Sequence, residues 1–164
     1  MWFFMITCYL FSAMTLLMLL LSGLQGYFQF FIFKANHPTF ALLTTIVYLF
    51  TETLIIFYFV GIGMSIKEFI LEKHLSADFH RRSIAVKRRV YPPILLNMLL
   101  IMTLFISGGA VDTGGLPAWS HALLYFLGLA HFLKMIAVEH ICFKESTAIV
   151  LEMSGIKHPL STAT

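Results

Sequence analysis

Four side chains that bind metals or move protons, His37, Glu52, His121 and His131, stand in or beside long apolar stretches of this 164-residue chain. An ionisable group in hydrocarbon is costly unless it meets a partner, so each is read first as a functional residue. Paired histidines supply the axial ligands of a b-type haem, and with a carboxylate they bind Zn, Cu or Fe. A helix rises 1.5 Å per residue, which puts His131 about 18 Å beyond the interfacial anchor Trp119. Glu52, counted from Thr39 or Phe40, reaches a similar depth. Glu52 and His131 are therefore expected to form a mid-membrane pair and proton relay. His37, Asp112 and His121 are expected in one layer at the outer surface. His121 and His131 lie roughly 15 Å apart on one helix, too far to share a metal ion, and would serve two stacked sites. Gly128, one turn before His131, is expected to leave room for a flat cofactor or a close helix. The cofactor-binding candidates are thus His37, His121 and His131, with haem b as the expected cofactor and a bare metal ion as the alternative.

Each residue also has a structural reading. His37 precedes Pro38 and suits an interfacial cap, while Lys134 is long enough to snorkel to a membrane face. Glu139, His140, Lys144 and Glu145 read as ordinary interface residues at the inner end of the last helix. His74, Asp78 and His80 have metal-ligand types but lie in a basic connection. Gly61-Ile62-Gly63 lacks the strand and third glycine of a nucleotide loop and reads as helix packing.

The elements that must position these groups are four apolar stretches. The first 33 residues carry no charge, and 59% of the chain is hydrophobic against 12% charged. A helix needs about 20 apolar residues to cross a hydrocarbon layer of ~30 Å. Lipid forbids unpaired backbone groups, and apolar runs without strict alternation favour helices over a barrel. The expectation is an all-α integral membrane protein: a single domain with transmembrane helices over about 3–33, 39–66, 92–109 and 118–143, packed as an antiparallel bundle. Pro92-Pro93 suits the start of the third helix. A tail over 144–164 is expected to fray or dock on a partner.

Polar residues recur on one face of each helix. These faces hold Cys8, Ser12, Thr15, Ser22, Gln25 and Gln29 in the first and Thr45, Tyr48, Glu52 and Gly63 in the second. Asn97, Thr103 and Ser107 mark the third, and His121, Tyr125, Gly128 and His131 the fourth. Such stripes predict a bundle with a shared polar interior and with Phe, Leu and Met turned to lipid or to partners.

Of the eleven basic residues, seven fall between positions 67 and 91. By the positive-inside tendency this is a cytoplasmic loop, which places both termini in the cytoplasm, and Ile70, Leu71, Leu75 and Phe79 between its charged residues suggest that the second helix extends past the bilayer or lies along the surface. Arg81, Arg82, Lys87, Arg88 and Arg89 are expected to contact anionic lipid headgroups. A cleaved signal peptide is not expected, because a basic n-region and a good cleavage site are both missing. Cys8 and Cys142 fit no haem-attachment or cluster pattern and are not expected to be bridged.

No nucleophile with an adjacent base, phosphate loop or zinc-protease signature is present, so a free-standing enzyme is not expected. In architecture alone the chain resembles the small haem-anchoring subunits of respiratory complexes. That resemblance implies an accessory membrane subunit of an electron-transfer or energy-converting assembly, in a bacterial or organellar inner membrane. Its partners would be other membrane subunits and anionic lipids, with no nucleic acid. The alternatives are proton or cation translocation through Glu52 and His131, and a purely structural scaffold.

Overall fold

A computed structural model describes residues 2–155 as four helices: α1 (Trp2–Phe28), α2 (His37–Lys73), α3 (Asp78–Asp112) and α4 (Ala118–Met153). All four are long and apolar enough to span a membrane. At 1.5 Å per residue the last three are roughly 50–55 Å long, well beyond a ~30 Å hydrocarbon layer. The extra length is the main departure from expectation. The basic segment 67–91 is not a loop: α2 runs on to Lys73 and α3 begins at Asp78, leaving a four-residue turn. His74 closes α2 in the left-handed region (φ 52°), its N–H bonded to the Ile70 carbonyl. Pro92 and Pro93 lie inside α3 rather than at its start, which leaves the carbonyls of Arg88 and Arg89 without their helical donors.

Two features hold these extensions. Ser83, Val86 and Val90 recur at helical spacing and are buried, and the Val86 carbonyl accepts from the Cys142 thiol of α4. Arg82 pairs with Glu152 at 2.8 Å, and Arg89 pairs with Glu145. Exposed pairs of this kind contribute about 0–1 kcal/mol each, so the apolar seam dominates. The expected lipid-facing cations are thereby partly engaged: Arg82 and Arg89 with α4, Arg81 with Asp78, and Lys87 laid over Gly63. Arg88 is exposed. Residues 144–153, expected as tail, continue α4, Ser154 and Gly155 follow as a turn, and residues 156–164 of the expected tail lie outside the described residues.

The first helix ends earlier than its apolar run. Gln29 takes a left-handed conformation, and Phe33 and Lys34 are both at positive φ in a tight turn closed by Ile32 and Ala35. Gln25, fully buried, donates to the Ala35 carbonyl at 2.8 Å and ties this turn to α1. Asn36 then caps α2 through the Thr39 N–H, with Pro38 in the first turn.

The helices meet in sequence order, α1 on α2, α2 on α3 and α3 on α4, with a thinner α1–α4 contact closing the ring. One half of the bundle is filled by aromatics: Phe143 packs on Tyr58, Phe59 and Tyr9 with centroids 4.7–5.1 Å apart. The half bounded by the two connections, 29–36 and 113–117, has Gly23, Gly26, Ala41, Gly108, Ala118 and Ala122 facing inward, and it stays open as a cavity of about 880 Å³. Small side chains at matching level on all four helices leave that space. Elsewhere they allow contact: a Cβ at Gly23 would collide with the Tyr125 ring, whose hydroxyl reaches the Leu19 carbonyl at 3.2 Å.

Gly23→Leu should therefore lower stability by about 1–3 kcal/mol through overpacking of α1 against α4. Gly61→Ala meets open space and should lose none. Thermal unfolding of both variants in detergent micelles checks the difference.

Candidate functional site

The cavity is where the sequence placed its outer histidines. His37, in the first turn of α2, and His121, in the first turn of α4, both line it, with ring centroids 6.3 Å apart and planes at 79°. Each imidazole lies against a glycine. A Cβ at Gly26 would come within 3.1 Å of the His37 ring, and one at Gly108 within 3.2 Å of the His121 ring. Any larger residue at either place would push the ring aside.

The His121 tautomer follows from its partner. Ser107 Oγ donates to the Leu104 carbonyl at 2.7 Å, so its hydrogen is committed. His121 Nδ1, 3.0 Å from the same oxygen, must then be the donor. Nε2 is left with a free lone pair, the arrangement of a metal-ligating histidine held by an outer partner. His37 Nδ1 is buried with no partner. Asp112 also borders the cavity but is exposed. Among the described residues no group of three His, Cys, Asp or Glu side chains converges as a metal cage. A zinc-type site needs more ligands than the two imidazoles provide.

A haem asks for something different, because the porphyrin supplies the equatorial nitrogens and the protein only the axial ones. The His37 and His121 ring centroids are 6.3 Å apart and the surrounding wall is mostly apolar, so these are the two residues that would hold such a group.

His131 is separate from this pair. Its Nδ1 lies 3.0 Å from Asn97 Oδ1, an acceptor only, so His131 donates. Asn97 Nδ2 in turn donates to the Tyr48 hydroxyl at 2.9 Å. Asn97 and Tyr48 are fully buried, and the three residues link α4, α3 and α2. Gly128 does not open a second cofactor slot, because Ile101 fills the space above it, its Cδ1 standing 3.2 Å from where a Cβ would be.

The expected Glu52–His131 pair is not formed. Glu52 instead shares the bundle interior with Glu139 of α4, between the Tyr48–Phe132 and Tyr58–Phe143 ring contacts that join the same two helices. Their exposures are 0% and 2%. Beside them Thr15 donates to Thr51 Oγ1 at 2.8 Å, whose own hydrogen goes to the Val47 carbonyl. The sequence reading set Glu139 aside as an interface residue because it ended the last helix at position 143. On a helix that runs to Met153, Gly128, Phe132, Met135, Glu139, Cys142 and Ser146 recur at steps of four, three, four, three and four. That seam was the available signal. Thr103 and Gln29, expected on polar inner faces, are exposed.

Comparison with known proteins finds no matching family model, no matching curated protein and no matching solved structure.

Asn97→Leu should cost about 1–3 kcal/mol, because it unpairs both Tyr48 and His131. Adding His131→Ala to that variant should cost less than His131→Ala alone, and a double-mutant cycle by denaturant unfolding in micelles measures the coupling.

Proposed function

We propose that this chain is a small multi-pass membrane subunit that holds a b-type haem between His37 and His121 and serves an electron-transfer assembly. The observation that carries this reading is the facing of two imidazoles from α2 and α4 across a cavity of about 880 Å³. Ser107 supports it by fixing His121 with Nε2 free, and Gly26 and Gly108 support it by letting both rings seat close to the helices. A haem bound there would supply one-electron redox chemistry, its potential set by the two histidines and the dry wall.

The residues present would do the rest. His37 and His121 would hold the group, and the wall from Leu19, Leu104, Phe105 and Tyr125 would exclude water. His131, tied to Asn97, would take no part in ligation. The four helices would form an antiparallel bundle with both termini in the cytoplasm or an equivalent compartment, since the basic residues cluster at the α2–α3 end. Exposed Trp119, Phe126 and Leu127 on α4 suit contact with lipid or with neighbouring subunits. Arg88 would meet anionic headgroups.

Haemin titrated into the purified protein in mild detergent should give a saturable, low-spin Soret spectrum. His37→Ala and His121→Ala should each abolish that spectrum, while His131→Ala should keep it. A wild-type protein that leaves haemin in its free spectrum, or a Soret band indifferent to both substitutions, overturns the proposal.

A further inference from the structure

Glu52 and Glu139 are the two carboxyl groups among the buried polar side chains without a hydrogen-bond partner, which among the described residues also include Gln25, His37, Tyr58, His80 and Tyr91. Asn97, Thr15, Thr51 and the Gln25 amide nitrogen all have partners. Glu52 Oε1 and Oε2 and Glu139 Oε1 are fully buried with no hydrogen-bond partner among the described residues. Nor is there a counter-cation: the ion pairs among the described residues engage Glu72, Asp78, Glu145 and Glu152. We propose that Glu52 and Glu139 share one exchangeable proton and form an acid–base site inside the membrane-spanning part of the protein.

An ionised carboxylate only accepts hydrogen bonds, so two of them offer each other nothing but repulsion. One hydrogen between them turns that repulsion into a bond and leaves a single negative charge for the site to bear. A second proton would leave the pair neutral. The site therefore has protonation states that differ by one charge with little change in shape.

The surroundings suit exchange. From α1, Cys8 and Tyr9 lie within electrostatic range of the pair, and from α2, Tyr48 does; Cys142 is the near titratable neighbour on α4. On α3 the adjoining polar residue is Asn97, which has no charge to give. Tyr48 accepts from Asn97, so its own hydroxyl hydrogen is free, and it stands one turn from Glu52 on the same helix face. Tyr48 does not donate to Glu52, whose two oxygens have no hydrogen-bond partner. The inference does not depend on a cofactor in the histidine cavity.

Infrared spectroscopy of the protein in lipid bilayers at neutral pH reads the proton directly. A protonated-carboxyl carbonyl band is expected, shifting in D2O and missing from the E52Q/E139Q double variant. N,N′-dicyclohexylcarbodiimide, an apolar reagent that adds to protonated carboxyl groups, should label Glu52 or Glu139 in peptide mapping, and raising the pH should suppress the label. This second measurement uses the wild-type chain and stands even if the double variant does not fold. The proposal is overturned by the absence of the band, by a band that never shifts in D2O, or by labelling that sodium ions block while pH leaves it unchanged, which would mark a cation site.

Discussion

Within a bilayer a polar side chain has no water to fall back on, and the arrangement of this bundle follows from that constraint. Tyr48, Thr51, Glu52, Asn97 and Glu139 lie in its interior, and each except the carboxyl pair has a partner on a neighbouring helix or on its own backbone. These contacts do for the interior what apolar burial does for a soluble core. Lipid tails are as apolar as leucine, so apolar contact alone gives little drive for helices to associate in a membrane. Interhelical hydrogen bonds and close packing of small residues remain. Asn97 joins three helices through two bonds, and Gly23 lets Tyr125 of α4 lie against α1.

The two halves of the bundle use this economy differently. Around Tyr58, Phe59 and Phe143 large rings interlock, and the adjoining extensions of α3 and α4 are tied by the Val86 seam and two ion pairs. At the other end, glycine and alanine replace those rings, and a cavity with two histidines results. A rigid half anchoring an open half is a suitable frame for a site, because the walls of the cavity are held from below. The Tyr48–Asn97–His131 group and the carboxyl pair are carried on the same helices that bring the cavity's histidines together.

Much of this was legible in the residues. Polar spacing on α1 marked Cys8, Ser12, Thr15, Ser22 and Gln25, all of which are buried, and Thr45, Tyr48 and Glu52 on α2 likewise. Matching depth put His37 and His121 in one layer, where they do meet. Helix ends were not legible for physical reasons. The apolar run through Phe30–Phe33 gives no sign of the turn there, since that turn is made by positive φ at non-glycine residues. The charged stretch before Pro92-Pro93 resembles a loop, yet its amphipathic side, Ser83, Val86 and Val90, is buried, with Ser83 beside Gly63 of α2 and Val86 bonded to Cys142 on an α4 that continues past the apolar stretch. Ending α4 ten residues early also hid Glu139, and Glu52 was then assigned to His131 by depth alone. Depth does not fix azimuth, and Asn97 on a third helix claims His131 first.

Ionisable side chains from different helices turn inward in this bundle, instead of facing acyl chains. Solid-state NMR of the protein in bilayers, with its glutamates labelled at the side-chain carboxyl carbon, measures this most directly. A through-space cross-peak between two carboxyl carbons that vanishes in both Glu52→Gln and Glu139→Gln is the expected result. Two isolated carboxyl signals, each correlated with lipid chain protons and with no cross-peak between them, would contradict the account.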